Sequence, residues 1–127
     1  MQLTTHFKAK EFDCNNGVKV PERLHKNRQE LANNLEVLRI YLGVPIKINS
    51  GYRTELYNDK IGGSRKSQHL ECKASDIITN YHTPEQIHAK IEELIEQGKM
   101  KQGGLGIYNT FVHYDIRGYK ARWDFRK

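Results

Sequence analysis

The sequence has few cysteines, few prolines and no long apolar run. Its 127 residues include only two cysteines, Cys14 and Cys72, and three prolines. Two cysteines cannot form the dense disulfide framework of a small secreted scaffold. No apolar stretch reaches the ~18 residues of a membrane span, and residues 1–11 lack the ~7–15 apolar residues of a secretory signal. We therefore expect a protein that is synthesised in the cytoplasm without a signal peptide and does not insert into a membrane.

Basic residues outnumber acidic residues. The chain has 21 Lys and Arg against 15 Asp and Glu, a formal net charge of +6, which favours an anionic partner. The basic residues are dispersed and form no recognised nucleic-acid-binding motif, so we expect no nucleic-acid partner. A chain of this length has room for one modest core. We expect one domain over residues 1–127, and a monomer.

Helical periodicity predicts two helices. The first opens at Pro21, a favoured first-turn residue, and ends at Gly43. Its apolar stripe consists of Leu24, Leu31, Leu35, Leu38 and Leu42. The second helix is capped by Thr83, with Gln86 placed to complete a capping box, and it ends at Gly98.

Apolar alternation predicts short strands between and after the helices. The predicted segments are residues 46–49, 74–78, 104–108 and 111–117. A tight hairpin is expected at Asn109 and Thr110, and residues 119–127 form a basic, aromatic tail. The predicted fold class is α+β, with a small antiparallel sheet packed against helices.

Two of the six histidines have a carboxylate nearby in the sequence whose side chain can lie close to the imidazole ring. Asp76 follows His69 after a loop that can turn back on itself. In the predicted strand 111–117, His113 and Asp115 lie on one face, because residues two apart share a face. Two histidines and one carboxylate suit zinc with an open coordination position. The spacing permits a metal site and does not by itself establish one.

Several short motifs occur together in a characteristic order. They are Ser50-Gly51-Tyr52-Arg53-Thr54, Asn58, Gly62-Gly63, Ser67-x-His69-x-x-x-x-Ala74-x-Asp76, Gly104-x-Gly106-x-Tyr108 and Phe111-Val112-His113-x-Asp115-x-Arg117. In this arrangement the chain resembles the zinc D-alanyl-D-alanine carboxypeptidase family, which includes phage L-alanyl-D-glutamate endopeptidases and related murein endopeptidases. The resemblance runs from Phe7 to Trp123 and is strongest to the small, single-domain branch of bacteria and phages.

The resemblance implies a fold like that of D-Ala-D-Ala peptidases and hedgehog domains, and zinc-dependent cleavage of peptide bonds in peptidoglycan. By motif matching, His69, Asp76 and His113 are the implied zinc ligands. Arg53 is implied to stabilise the developing oxyanion, a role suited to a permanently charged, bidentate donor.

Three further residues are implied to form the substrate-binding surface. Ser67 and Gln68 follow from the motif that contains the first zinc ligand. Tyr52 is placed with them, although Tyr52 and Tyr108 can equally be packed tyrosines. The implied partners are peptidoglycan peptides.

Two positions depart from the family pattern. Cys72 replaces a glycine, so it is either strained by about 1 kcal/mol at a positive φ or a thiolate that approaches the zinc; we prefer the first interpretation. Thr110 occupies the position of the acid that many members carry before the last ligand. Asp115 is then our candidate general base, and the alternative is that Asp115 orients a ligand or pairs with Arg117.

Two functions are compatible with these motifs. The first is a zinc metallopeptidase, either a carboxypeptidase or an endopeptidase of the endolysin type. The second is a non-catalytic wall-binding or virion structural module that keeps the fold, for which the departures at Cys72 and Thr110 argue. Because no secretory signal is present, we expect a phage or prophage protein that acts at the cell wall.

Overall fold

The computed structural model describes residues 1–127 and has an α+β architecture, as expected. The α-helices are α1 (His25–Leu42), α2 (Glu55–Lys60) and α3 (Pro84–Glu96), and the strands are β1 (Lys47–Ser50), β2 (Ala74–Ile78), β3 (Gly104–Ile107), β4 (Val112–Asp115) and β5 (Ala121–Asp124). Short 3-10 helices occupy Ala9–Phe12, Glu22–Leu24 and Gln68–Glu71. None of the helices is both long and apolar enough to cross a lipid bilayer.

Cap chemistry sets the ends of the two long helices. At the start of α3, the Thr83 hydroxyl accepts from the Gln86 amide, and the Gln86 side chain accepts from the Thr83 amide. Helix α1 ends at Gly43, whose φ of 70° lies in the left-handed region that glycine tolerates. Both predicted helices are confirmed, but the first begins at His25 and not at Pro21, because Glu22–Leu24 form a 3-10 turn before it.

Helix α2 lies between the first two predicted strands, where the sequence predicted no helix. It has only six residues, too few to show an apolar period. Its start is fixed by the Thr54 hydroxyl, which accepts from the Tyr57 amide at 3.1 Å.

The sheet has the strand order β1-β2-β4-β3-β5. The first three pairings along this order are antiparallel, whereas β5 pairs with β3 in parallel. The sheet is therefore mixed and not wholly antiparallel as predicted. Strand β5 was missed because it is a partly exposed edge that carries Arg122 and Asp124, so it shows no apolar alternation.

One face of the sheet packs against α1 and α3. Buried leucines and isoleucines of both helices meet Ile77, Leu105, Val112 and Tyr114 in a single hydrophobic cluster. Full burial of such side chains contributes roughly 1.5–3 kcal/mol each. The intervening residues Ala74, Asp76, His113 and Asp115 point to the opposite face, where they are also buried. The candidate site lies on that second face.

Candidate metal centre

The three predicted zinc ligands converge on the second face of the sheet. Strand pairing places Asp76 of β2 directly opposite His113 of β4, and the 3-10 turn Gln68–Glu71 brings His69 over the same point. Asp76 Oδ1 lies 3.3 Å from His69 Nε2 and 3.2 Å from His113 Nδ1. One ligand atom from each residue lies within 4.8 Å of the others. All three side chains are buried, and the group can hold a metal ion.

Neighbouring acceptors fix which nitrogen of each histidine ring carries the proton. His69 Nδ1 lies 2.7 Å from the Gly51 carbonyl oxygen, which can only accept, so Nδ1 carries the proton. His113 Nε2 lies 2.7 Å from Asp115 Oδ2 and donates to that carboxylate. The lone pairs of His69 Nε2 and His113 Nδ1 therefore both face Asp76 Oδ1. Three acceptors so close together repel one another unless a cation or a proton lies between them, so the donor set fits a metal ion.

The titration of the three groups reflects their burial and mutual contacts. Burial alone would raise the pKa of Asp76, but the contacts with His113 and His69, either of which can hold a proton against the carboxylate, keep it well below its usual range. Burial lowers the pKa of His69 more than Asp76 raises it, which favours the neutral imidazole that binds metals. Burial also acts to lower the pKa of His113, but contacts with Asp115 and Asp76 outweigh it, so this pKa is raised.

Asp115 lies behind His113 and is fully buried. Its carboxylate accepts from the Gly104 amide at 2.8 Å, and from Arg117 Nε and Nη2 at 2.9 and 2.8 Å. A Cβ at Gly104 would lie 2.2 Å from Asp115 Oδ2, so only glycine leaves room for this carboxylate. Asp115 contacts the nitrogen of His113 that points away from Asp76. Of the two roles considered for Asp115, this geometry favours orientation of His113 over proton abstraction.

Arg53 lies beside the ligand group and is fixed by three acceptors. Its Nε donates to Ser50 Oγ at 3.0 Å, Nη1 to Asn58 Oδ1 at 3.3 Å, and Nη2 to Asp76 Oδ2 at 3.0 Å. A guanidinium has five N–H groups, so one on each terminal nitrogen stays free for a ligand. Burial of the Asn58 amide depends on Gly63, because a Cβ there would lie 2.0 Å from Asn58 Oδ1. The sequence placed Asn58 in a motif without indicating this contact.

A groove of about 780 Å³ opens over the ligand group. One side, the polar wall, consists of Arg53, Ser67 and Gln68. The opposite side, the aromatic wall, consists of Tyr108, Phe111, Trp123 and Phe125. Because β1 and β5 are the two edges of the sheet, the walls flank the ligand group from opposite directions.

Two of the predicted substrate-binding residues lie in the groove and one does not. Ser67 and Gln68 line it, and the Ser67 hydroxyl also accepts from the His69 amide at 3.2 Å. Tyr52 is packed into the hydrophobic cluster instead, and its amide donates to the Phe12 carbonyl at 2.8 Å. Tyr52 borders a smaller adjacent pocket that Arg53, Ser67 and Gln68 also line.

Cys72 follows the His69 turn with φ at 54°, the only positive φ outside glycine. Its thiol belongs to the hydrophobic cluster and not to the group of ligand atoms. Burial raises the pKa of this thiol to about 12, which opposes the thiolate that metal binding requires. The structure therefore favours the strained but inert interpretation, and Cys72 forms no disulfide with Cys14.

Thr110 lies in the exposed turn between β3 and β4, outside the groove. Asp76 is the only carboxylate among the groove residues. The groove therefore offers no second carboxylate, and Asp115 reaches the ligand group only from behind His113.

The family model described as Peptidase M15 matches residues 5–115. The matched span includes all three ligand-type residues and Arg53, and it stops before Arg117 and the whole of β5. No curated protein matches the chain.

Proposed function

This chain belongs to the peptidase M15 family, and from this membership we propose that it is a zinc peptidase that cleaves peptidoglycan stem peptides or cross-links. The observation that carries the proposal is the convergence of two histidine lone pairs and one carboxylate oxygen at a single buried point. Two nitrogens and one oxygen are a common donor set of catalytic zinc sites. Bound there, zinc would supply a Lewis acid and lower the pKa of a coordinated water toward ~7.

The protein's own residues would orient the substrate around this point. Arg53 keeps two free N–H groups at the groove, which suit a substrate carboxylate or the oxygen of the scissile carbonyl as negative charge develops there. Asp115 and Arg117 would hold the His113 ring in the tautomer that leaves Nδ1 unprotonated. Ser67 and Gln68 would contact the peptide along the polar wall.

Peptidoglycan as substrate agrees with the charge of the protein. The net charge of +6 favours approach to an anionic polymer, and the polar wall adds a fixed cation where a stem-peptide carboxylate would bind. We propose that the protein acts at the cell wall, as an endolysin-type enzyme does. A carboxypeptidase would release terminal D-Ala, whereas an endopeptidase would cut stems or cross-links, and mass spectrometry of the products separates the two.

The test is digestion of purified murein by metal-analysed protein. We expect about one zinc per chain, soluble peptide products, loss of activity with a chelator, and recovery with added zinc. His113→Ala should abolish both zinc binding and activity. His82→Ala, which removes a histidine outside the groove, should leave both unchanged. Stoichiometric zinc without chelator-sensitive products on any murein type would contradict the peptidase proposal.

A second candidate function is a non-catalytic wall-binding module. The observation in its favour is that Asp76, a presumed zinc ligand, is the only carboxylate in the groove. This alternative predicts that the wild-type protein sediments with murein and releases no peptide. It also predicts that His69→Ala binds murein as tightly as wild type does.

A further inference from the structure

The aromatic wall contains one hydroxyl group whose direction is fixed. Trp123 Nε1 donates to the Tyr108 hydroxyl oxygen at 3.0 Å. The tyrosine follows β3 and the tryptophan lies in β5, so the contact depends on the parallel pairing of these strands. Gly106 faces Trp123 in this pairing, and a Cβ at Gly106 would lie 2.0 Å from the indole nitrogen. The absence of a side chain at Gly106 therefore lets the indole lie over β3 and reach Tyr108.

This contact leaves the hydroxyl proton of Tyr108 free. A phenol oxygen accepts and donates in the plane of its ring, so an indole N–H on one side directs the phenol proton to the other side. No acceptor in the protein takes that proton. The ring is also fixed, because it stacks on Phe111 with centroids 4.2 Å apart and meets Phe125 edge-on at 5.6 Å.

The free hydroxyl lies in the same groove as the ligand group. Tyr108 lines the groove with His113, and the Trp123 ring centroid is 4.9 Å from that of His113. Arg53 approaches from the β1 side, whereas Tyr108 approaches from the β5 side. The groove over the ligand group thus carries a charged donor on one wall and a neutral donor on the other.

We propose that Tyr108 is a catalytic residue, which donates a hydrogen bond to the scissile carbonyl oxygen as it becomes an oxyanion. Trp123 is a positioning residue that sets the direction of this O–H. Water adds to the carbonyl carbon, the C–N bond breaks, and the leaving amine takes a proton that originates from the water. Tyr108 keeps its own proton throughout. This assignment rests on the proposed peptidase function.

The test compares Tyr108→Phe with Trp123→Phe in steady-state kinetics on a purified muropeptide. Tyr108→Phe keeps the stacked ring and removes only the hydroxyl, so we expect kcat to fall about 100-fold, as on loss of one oxyanion donor. KM should change less than about threefold. Trp123→Phe keeps an aromatic ring over Gly106 but frees the direction of the hydroxyl, and we expect a smaller fall, about 3- to 10-fold. Tyr81→Phe, an exposed tyrosine outside the groove, should match wild type.

Zinc content and melting temperature distinguish a catalytic loss from a structural one. Both should equal wild type in Tyr108→Phe. If active wild type and Tyr108→Phe have the same kcat, or if Tyr108→Phe loses zinc or unfolds early, the assignment of Tyr108 is wrong and the peptidase proposal stands. If zinc-loaded wild type releases no peptide, the peptidase proposal and the assignment both fail.

Discussion

Beside β1 the groove is lined by a cation and polar side chains, whereas beside β5 it is lined by aromatic rings. On the polar wall, three side-chain acceptors hold the Arg53 guanidinium. On the aromatic wall, ring stacking and a single indole N–H hold the Tyr108 hydroxyl. The two walls hold their donors by different means, and both donors lie in the groove over the same buried ligand group.

The difference predicts different consequences when each wall is changed. The polar wall supplies full charge next to a presumed zinc ligand, so its loss affects both transition-state stabilisation and the metal. The aromatic wall supplies a neutral donor, so removal of the Tyr108 hydroxyl should affect turnover alone. The variants below test this division, beginning with the largest expected effect.

Arg53→Ala should cause the largest loss of activity. It removes the only groove cation that contacts Asp76, and loss of such a donor costs roughly 100- to 1,000-fold in kcat. Zinc affinity should also fall, because Asp76 Oδ2 loses its partner. Kinetics and zinc competition with a chromogenic chelator measure the two effects. Arg65→Ala, an exposed arginine outside the groove, is the control, and equal losses in both variants would show that only net charge matters.

Asp115→Asn should weaken zinc binding about 10- to 100-fold, the usual cost of altering the partner of a metal-bound histidine. The amide keeps the shape of the buried site but removes the charge that holds His113 and Arg117. Asp124→Asn removes an exposed β5 carboxylate and should leave zinc affinity unchanged. Equal zinc affinity in Asp115→Asn and wild type would contradict the orienting role.

Zinc affinity should fall as the solution becomes acidic. The pKa of His113 is raised above its ordinary value of 6.5, because contacts with Asp115 and Asp76 outweigh the effect of burial. Below that pKa a proton occupies the ring nitrogen that would bind zinc, so apparent affinity should drop about tenfold per pH unit. The lowered pKa of His69 delays its own competition to more acidic solution. A chelator titration at several pH values measures the slope, and an affinity that does not change below neutral pH would contradict this assignment.

Cys72→Gly should be more stable than Cys72→Ala by about 1 kcal/mol. Both variants delete the buried thiol, but only glycine relieves the positive φ of 54°. This residue ends the turn that places His69, on the side of the polar wall. Relief of backbone strain at residue 72 should therefore leave the aromatic wall unchanged. Urea denaturation measures the difference, and equal stability would show that the backbone is not strained.

The helices were predictable because their ends carry local chemistry. Thr83, Gln86 and Gly43 each act on their own backbone neighbours, so sequence spacing is enough to identify them. Helix α2 was not predictable in this way, because six residues contain less than two turns. Strand β5 was not predictable either. Its extended conformation depends on pairing with β3, and two of its four side chains are charged.

The ligand group was predicted from the family motifs and only partly from the residues themselves. Alternation along residues 111–117 placed His113 and Asp115 on one face, and the structure shows that contact at 2.7 Å. Alternation could not place Asp76 opposite His113, because register depends on pairing between distant strands. The Trp123–Tyr108 contact likewise depends on β5, whose pairing leaves no local signal.

The most direct test of the account is an anomalous-diffraction map at the zinc edge from crystals of the zinc-loaded protein. The account predicts one strong peak about 2.0–2.2 Å from His69 Nε2, His113 Nδ1 and an Asp76 carboxylate oxygen. It also predicts that His69 Nδ1 and His113 Nε2 stay bonded to the Gly51 carbonyl and to Asp115. A zinc-loaded crystal without a peak at this position, or with zinc on either of the two outer nitrogens, would contradict it.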